Sequence, residues 1–354
     1  MNNIYFKFLR MEAGIKDPVI ATVIGTEGST PQKPGSSAIF GNGGLITGTV
    51  GGGVVEWRTQ EISQECGQSK ISRFFHYNLD KDTSEPEEAI CGGSITILID
   101  ADPLAHIPVF KEIDKTIADR ESGLLITKVT DKGNNCVNID RYWLTRAIKP
   151  DLHPEVIRKI EPFLSEIRSS YHSDNCRKFD LTLPGEESAS TFFLENLFPM
   201  PELIIAGAGH VGKALSHLGR MLGFEVTVID NRHEYANYVN LPDADHVIVQ
   251  DIGRAMEEIK KSDETYIVIV TRGHSDDSSA LRPCIGSSAR YVGMIGSKPK
   301  VTRMHSDFIL NGWATEEEWS RIYTPIGLEI KSKTVEEIAV SIAAQLVQVR
   351  NNKN

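Results

Sequence analysis

Residues 203–230 read LIIAGAGHVGKALSHLGRMLGFEVTVID, and this stretch decides the fold of the second half of the chain. An apolar strand, a Gly-x-Gly-x-x-Gly turn, a helix, a second strand and a terminal acid follow one another in the order of a Rossmann-type unit. Glycines in such a turn let a pyrophosphate approach the backbone and the helix start. The residues of the turn that we assign to cofactor binding are Gly207, Gly209, His210 and Gly212.

The acid at the end of the second strand indicates which dinucleotide such a unit would hold. Asp230 would accept a hydrogen bond from a ribose hydroxyl and disfavour a 2′-phosphate, which favours NAD. Arg232 follows closely, so NADP also stays open. The alternative is a doubly wound domain that holds no dinucleotide, because a fold alone does not establish a ligand.

Two polar loops follow later strands of the same half, at residues 271–277 and 296–300. In an open parallel sheet such loops lie outside the carboxyl ends of the strands, on the ligand side. His274 and Asp276 are candidates for a catalytic proton-transfer pair, or for a capping network of the next helix. Ser297 and Lys298 would hold an anion at a helix start, the alternative being plain capping with an exposed lysine.

The first half has its own landmark at residues 48–56, GTVGGGVVE. Residues 45–50 predict a strand, three glycines form a turn, and residues 54–64 predict a helix with Trp57 among its packing residues. Gly51, Gly52 and Gly53 would let the first N–H groups of that helix face an anionic ligand. The alternative is a tight turn that only packs the helix on a sheet.

Two further segments of the first half carry polar or thiol groups next to glycine. Residues 26–37 have no large apolar side chain and contain two prolines, which predicts a shaped loop that lines a pocket or lies on the surface. Cys91 precedes Gly92 and Gly93, where a thiol could approach a ligand. A lone cysteine is as often a small buried apolar residue.

Composition limits the remaining possibilities. The 354 residues predict two domains, which we place at 1–197 and 198–354. A net charge of −10 argues against nucleic acid as a main partner, and no apolar run approaches the length of a membrane span. Five scattered cysteines without a Cys-x-x-Cys pair fit a reducing cytoplasm and predict no metal site.

Taken together, these motifs resemble the XdhC/CoxI family of xanthine dehydrogenase accessory factors. The resemblance is carried in the first half by residues 25–31, 48–56 and 91–93, and in the second by 207–212, 271–274, 292–298, 324–328 and 337–343. It implies an α/β protein with an N-terminal α+β domain and a C-terminal Rossmann-like, doubly wound parallel-sheet domain. The candidate cofactor-binding residues, all but Lys33 and Asp230 at these motif positions, are Glu27, Ser29, Thr30, Lys33, Gly51, Gly52, Gly53, Glu56, Gly92, Gly93, Gly207, Gly209, His210, Gly212, Asp230, Arg272, Ser297 and Lys298.

The resemblance implies a maturation role in the cytoplasm. Members of the family are thought to bind the molybdenum cofactor, of the molybdopterin type, at or between the two domains. They help it acquire its terminal sulfur and pass it to a molybdenum hydroxylase. The partners implied are a sulfur-donating desulfurase, a second copy of the chain and the client subunit. The chain is too short, and lacks the cysteine set, to be a complete xanthine dehydrogenase.

One position departs from the family pattern. Where the family usually has a cysteine after the three glycines, this chain has Val54. A thiolate there could contact molybdenum or its sulfur and a valine cannot, which leaves Cys91 as the only motif cysteine, a candidate catalytic residue. Two alternatives remain open: an NAD- or NADP-dependent oxidoreductase, with His274 as acid or base, and an interaction protein of the same pathway without a ligand.

Overall fold

The structure is a computed structural model that describes residues 3–79, 93–164 and 176–352. The described chain divides into two compact units, with the boundary between Pro199 and Met200. Among the described helices, none is both long and apolar enough to cross a lipid bilayer. Cys91 and Gly92 lie outside the described residues.

The first unit contains two antiparallel sheets. The first has five strands in the order β3-β2-β1-β5-β4 and the second has four in the order β7-β6-β9-β8. Their strands are β1 Val19–Gly28, β2 Ser37–Gly41, β3 Gly44–Gly48, β4 Arg73–Asn78, β5 Gly93–Asp100, β6 Gly123–Asp131, β7 Val137–Leu144, β8 Cys176–Leu181 and β9 Ser190–Leu197. The helices are α1 Ile4–Met11, α2 Gly53–Ser69, α3 Ile107–Ala118 and α4 Pro154–Leu164.

Period-two alternation in β1 explains how these elements stack. Val19, Ala21 and Val23 pack with α2 on one face of the first sheet. Ile24 points the other way and packs with Phe193 of the second sheet. Because successive strand residues face opposite sides, one strand supplies both interfaces. The outer face of the second sheet is covered by α4, which gives the order of layers helix, sheet, sheet, helix.

A cluster of charged and polar groups is buried in the core of this unit. Arg141 Nη1 lies 3.0 Å from Asp100 Oδ2, and both side chains are nearly inaccessible to solvent. The guanidinium also lies over the rings of Tyr5 and Phe110, 5.5 and 5.2 Å from their centroids. The Tyr5 hydroxyl donates a hydrogen bond of 2.7 Å to buried Glu195 Oε2. Burial raises the pKa of Glu195 from 4.5 to about 7.

We expect the buried Glu195 carboxyl to make the wild type less stable as pH rises. The folded state keeps the Glu195 proton up to about pH 7, whereas the unfolded state releases it near pH 4.5, so stability falls across that window. Glu195→Gln cannot ionise. Its free energy of unfolding, relative to wild type, should therefore rise by on the order of 2 kcal/mol between pH 5 and pH 8. Urea unfolding at the two pH values measures this difference.

Glu161→Gln is the matched control, since Glu161 lies on the exposed side of α4. It should give the same difference from wild type at both pH values. A Glu195→Gln variant that behaves like Glu161→Gln would show that the Glu195 carboxyl already ionises near its ordinary pKa in the folded chain.

The second unit is a parallel sheet with helices on both faces. Its five strands have the order β12-β11-β10-β13-β14, so the chain moves outward from β10 in one direction and then in the other. The strands are β10 Glu202–Ala206, β11 Glu225–Asp230, β12 His246–Val249, β13 Thr265–Ile269 and β14 Tyr291–Met294. The helices are α5 His210–Met221, α6 Ile252–Glu258, α7 His274–Leu281, α8 Lys298–Leu310, α9 Glu316–Ser320 and α10 Val335–Asn351.

The continuous apolar run of β10 is explained by burial on both faces. Leu203 and Ile205 pack against α5 and α10, whereas Ile204 and Ala206 pack on the side of α6, α7 and α8. The Rossmann-like, doubly wound fold predicted for this half is confirmed. One prediction for the first half is wrong: the Trp57 side chain, expected to pack, is 52% exposed.

Candidate functional sites in the two units

Three of the sequence motifs meet at one end of the first sheet. β1 ends at Gly28, which pairs directly with Gly93 at the start of β5. A Cβ on Gly93 would lie 2.4 Å from the carbonyl oxygen of Glu27 and 2.8 Å from that of Ser29. Only glycine fits there, because carbon atoms do not approach backbone oxygens so closely. The start of the 26–37 loop therefore rests on the backbone of Gly93.

The three-glycine turn joins the same cluster through a proline ring. A Cβ on Gly51 would lie 3.0 Å from Pro31 Cγ, whereas Cβ atoms on Gly52 and Gly53 would meet nothing within 4 Å. The φ angles of the three glycines are 145°, 66° and 50°, which favour glycine at all three positions. The turn thus presents bare backbone on its open side.

Helix α2 begins at this turn without a side-chain cap. Its N-cap is Gly52, and no side chain accepts a hydrogen bond from the first N–H groups. These groups have no acceptor within the helix either, and the helix dipole makes this end attractive to an anion. Glu56 is engaged elsewhere: its carboxylate accepts from Thr49 Oγ1 at 2.8 Å and from the Val50 N–H at 3.3 Å. The Glu56 carboxylate therefore brings negative charge to the first turn of α2. It does not accept from the first N–H groups of the helix, which stay open on the side of the glycine turn.

The other candidates in the loop are less constrained. Thr30 Oγ1 donates to the carbonyl of Gln32 at 3.0 Å, which shapes the loop from within. Glu27, Ser29 and Lys33 are exposed.

A cleft of about 440 Å³ opens beside this cluster, within the first unit. One wall comes from the first sheet and includes Glu27, and the other comes from the edge strand β8. The lining residues are Ile24, Gly25, Thr26, Glu27, Pro34, His76, Ser94, Thr96, Cys176, Arg177, Lys178 and Phe193. The sequence did not predict that strand β8 lines a cleft, because CRKFDL carries no motif and lies far from the glycine loops along the chain.

The thiol of Cys176, which lines this cleft, is not activated as a nucleophile. Cys176 Sγ lies against Gly35, 2.6 Å from where a Cβ would stand. Burial raises the pKa of the Cys176 thiol well above its ordinary value, with the charge of Glu195 acting in the same direction. The neutral thiol is a poor ligand and nucleophile compared with a thiolate.

In the second unit the glycines of the 207–212 turn have separate roles. A Cβ on Gly207 would lie 2.6 Å from the Val270 carbonyl oxygen, and one on Gly212 would lie 1.9 Å from the Gly207 carbonyl oxygen. A Cβ on Gly209 would meet nothing within 4 Å. Gly207 and Gly212 therefore serve packing, and Gly209 leaves open the space at the start of α5. This space lies at the switch point between β10 and β13, where open parallel sheets bind ligands.

Asp230, the candidate ribose acceptor, is occupied by protein groups. Its Oδ2 accepts from the Ala208 N–H and from Arg232 Nη2, both at 2.8 Å. Its Oδ1 accepts from Arg232 Nε at 2.9 Å. Burial opposes ionisation of Asp230, but these hydrogen bonds outweigh it and hold its pKa below the ordinary value. The carboxylate thus braces the glycine turn, and Arg232 stacks in turn on the ring of Tyr235, 4.2 Å from its centroid.

The loop after β13 presents a different acid from the one expected. Asp277 is fully buried, where it pairs with Lys300 and accepts a hydrogen bond from Thr271 Oγ1. Burial raises the pKa of Asp277, and the hydrogen bonds from Lys300 and Thr271 partly offset this. Asp277 and Lys300 lie in the polar loops 271–277 and 296–300, but neither was predicted to be a site residue. The available signal was that Ala280 and Leu281, three and four residues later, place Asp277 on the apolar side of the helix.

The remaining candidates of this unit lie at the surface. His274 Nε2 is 3.5 Å from Asp307 Oδ2 of α8. Asp276 is exposed, and among the described residues no hydrogen bond or ion pair joins it to His274. His210 lines a separate cleft of about 510 Å³ with Lys213, His217 and Asp243. Arg272, Ser297 and Lys298 are exposed, and the Ser297 side chain makes no capping bond at the start of α8.

Comparison with known proteins identifies the family of this chain. The profile described as the XdhC and CoxI family matches residues 16–78, and that of the XdhC Rossmann domain matches residues 203–346. A protein of Bacillus subtilis (strain 168), described as a probable subunit of xanthine dehydrogenase, is 25% identical over 338 residues, covering 95% of this chain and 94% of that protein.

Two further similarities extend over nearly the whole chain. YqeB of Escherichia coli (strain K12), an uncharacterized protein, is 21% identical over 351 residues, and the match spans 99% of this chain and 47% of that protein. A crystal structure described as a xanthine dehydrogenase from Bacillus halodurans has a TM-score of 0.77 at 25% identity, covering 98% of this chain and 95% of that chain. The loop at Glu27 and the Gly51–Gly53 turn fall within the first profile, and most of the Rossmann-like second unit falls within the second. The chain belongs to the XdhC and CoxI family.

Proposed function

We propose that the protein is an accessory factor in the maturation of a molybdenum hydroxylase of the xanthine dehydrogenase type. It binds molybdenum cofactor and passes it to the client subunit in the cytoplasm. The observation that carries this proposal is the meeting of Glu27–Ser29, the Gly51–Gly53 turn and Gly93 at one end of a sheet. The names of the Bacillus relatives support a role in the xanthine dehydrogenase system.

The residues present fit the anionic part of such a cofactor. The bare backbone of Gly52 and Gly53 and the uncapped start of α2 suit a phosphate. Val54 offers no ligand to a metal, and the Cys176 thiol is neutral. Thiol chemistry would therefore come from Cys91, which lies outside the described residues, or from a partner such as a desulfurase. The bound cofactor would supply the redox chemistry of the client, and the chain's own part is to hold and shield it.

The test compares two variants of one residue in the turn. Gly53 has a φ of 50°, a region that Asn and Asp adopt more readily than other side chains, so Gly53→Asn and Gly53→Asp share the same backbone cost. Gly53→Asp also adds a negative charge where the phosphate would lie. Purified from a host that makes the cofactor, Gly53→Asp should carry about tenfold less pterin than Gly53→Asn, measured by fluorescence after oxidation.

The wild-type protein is the reference for this experiment. If the wild type carries no pterin and takes up none when cofactor is added, the proposed function is overturned. If Gly53→Asp and Gly53→Asn carry equal amounts, the cofactor binds away from the three-glycine turn.

A dinucleotide site in the second unit is the second candidate function. It is favoured by the open space over Gly209 at the switch point of the sheet. The engagement of Asp230 by Arg232 weighs against recognition of a ribose in the usual way. Calorimetry with NAD and NADP tests this function. If neither dinucleotide gives a heat of binding, an oxidoreductase that uses NAD or NADP is excluded.

A further inference from the structure

We propose that the cleft of about 510 Å³ in the second unit binds a free amino acid with an aliphatic side chain. The Lys213 ammonium and the Ser216 hydroxyl hold its carboxylate, and the Glu336 carboxylate accepts hydrogen bonds from its ammonium group. Every residue that lines this cleft belongs to the second unit, so the site does not depend on a cofactor bound in the first.

The cleft lies along the exposed face of helix α5. His210, Lys213 and His217 line it, and their spacing of three and four residues places them on one side of the helix. One rim is the loop 241–243, which a contact of 2.9 Å between His217 Nδ1 and Asp243 Oδ2 holds against α5. Because an ionised carboxylate only accepts hydrogen bonds, Nδ1 donates, and Asp243 has its partner within the protein.

Helix α10 supplies another rim, with Val335 and Glu336. Arg350 Nη1 donates to the Leu222 carbonyl at 2.7 Å, which joins the end of α10 to the end of α5. The two helices share one apolar cluster, and their first turns both line the cleft. Glu337 is used in the capping box of α10, whereas the neighbouring Glu336 is exposed at the cleft.

Two opposite charges therefore border the cleft without pairing. Within residues 3–79, 93–164 and 176–352, neither Lys213 nor Glu336 has an ion-pair partner, and no ion pair joins the two. A ligand with a single charge would pair with one of these groups and meet a like charge at the other. A ligand that carries both a carboxylate and an ammonium group satisfies both, as charge-assisted hydrogen bonds.

The floor of the cleft presents a hydroxyl that lacks a partner. Ser216 lines the cleft and is 1% exposed, and its Oγ makes no hydrogen bond to any described residue. A serine within a helix commonly donates to the carbonyl four residues earlier, and Ser216 does not. Since an unsatisfied buried hydroxyl destabilises the empty cleft, a carboxylate oxygen that accepts from Ser216 Oγ gains a favourable contact.

The rest of the lining is apolar and selects the side chain of the ligand. Ala214, Leu241, Pro242 and Val335 face the cleft between the polar groups. A volume of about 510 Å³ lies in the range of small-molecule sites, and apolar walls with a few convergent polar groups are their usual composition. An aliphatic side chain buried against these residues would add hydrophobic stabilisation to the two charge contacts.

The first test needs only the wild-type, full-length protein, dialysed free of small molecules. Equilibrium dialysis with radiolabelled L-leucine should give a Kd below about 1 mM. L-leucinamide lacks the carboxylate and N-acetyl-L-leucine lacks the ammonium group, so each should compete about fivefold less well than L-leucine. Glycine keeps both charges but has no side chain, and it should compete about tenfold less well.

Variants of the lining assign each charge to its partner. Lys213→Met should weaken L-leucine about fivefold and leave the inhibition constant of L-leucinamide no higher than in wild type. Glu336→Gln should also weaken L-leucine about fivefold, but leave that of N-acetyl-L-leucine no higher. Ser216→Ala should weaken L-leucine about threefold.

Two variants outside the cleft are the controls. Glu317→Gln changes an exposed glutamate in the first turn of α9, which has the same kind of capping box as α10. Lys260→Met changes an exposed lysine after α6. Both should bind L-leucine as wild type does.

Either of two results would overturn the proposal. One is that wild type retains no L-leucine, or that the two analogues compete as well as L-leucine itself. The other is that Lys213→Met and Glu336→Gln bind L-leucine as tightly as the controls. Pterin content of the same preparations reports separately on the proposed function, which stands or falls without this cleft.

Discussion

Asp100→Ala is expected to lower the free energy of unfolding of the first unit by about 3–5 kcal/mol. The variant leaves the Arg141 guanidinium buried without its counter-charge, since the Arg141 side chain is 1% exposed and Asp100 is its ion-pair partner at 3.0 Å. The guanidinium still contacts the rings of Tyr5 and Phe110, but a ring face replaces little of a full charge. Urea unfolding, read through hydrogen exchange of the β5 amides, reports on this unit alone.

Two further variants show whether the lost charge pair is the cause. Asp102→Ala removes an exposed carboxylate two residues away and should change stability by less than about 0.5 kcal/mol. The double variant Asp100→Ala/Arg141→Met removes both charges and should be more stable than Asp100→Ala alone. If Asp100→Ala costs no more than Asp102→Ala, water reaches Arg141 in the folded chain and the pair is not desolvated.

Gly212→Ala is expected to destabilise the second unit by about 3 kcal/mol, although helix propensity predicts the opposite sign. Alanine in place of glycine inside a helix normally stabilises by about 1 kcal/mol. Here the new Cβ would lie 1.9 Å from the Gly207 carbonyl oxygen. Gly207 cannot retreat, because its N–H donates to the Ile229 carbonyl at 2.8 Å and its α-carbon faces the Val270 carbonyl. The Cβ position is set by the backbone of α5 and the oxygen is itself a backbone atom, so no rotamer change relieves the contact.

Gly209→Ala is the matched control in the same turn. Its Cβ would meet nothing within 4 Å, and its φ of −70° is open to any residue. Its stability should stay within about 1 kcal/mol of wild type, the usual range for alanine at an N-cap. Urea unfolding followed by hydrogen exchange of β10 amides measures both variants. Equal stability of Gly212→Ala and Gly209→Ala would mean that α5 shifts away from the strand at little cost.

Much of the second unit was predictable because its signals are local. The apolar run of β10, the glycines of the turn and the alternation of strands with helices all act through near neighbours in sequence. The capping box of α10, with Thr334 accepting from the Glu337 N–H, is a local signal of the same kind. The short helix α6 was not predicted, since seven residues hold too little periodicity to stand out.

Side-chain partners were harder to foresee than elements. From the sequence, Asp276 was as good an acid as Asp277, and the choice was made by which side of α7 faces the sheet and Lys300. In the same way, the sequence predicted Asp230 as an acceptor for a ribose hydroxyl, whereas in the structure its carboxylate is hydrogen-bonded to Arg232. Because Arg232 is only two residues from Asp230, the sequence allows Asp230 either to pair with Arg232 or to stay free. Only the packing of the folded chain selects between the two.

The sequence by itself determined the order of elements, the Rossmann-like unit and the family, because hydrophobic period and glycine position act over a few residues. Tertiary structure alone decided that the loop at Glu27, the Gly51–Gly53 turn and Gly93 meet, and that Lys178 of a distant strand lies close to Gly25 in the adjacent cleft. The physical reason is that strand pairing and sheet stacking join residues far apart in sequence, and the contacts that choose among pairings exist only once the core is packed.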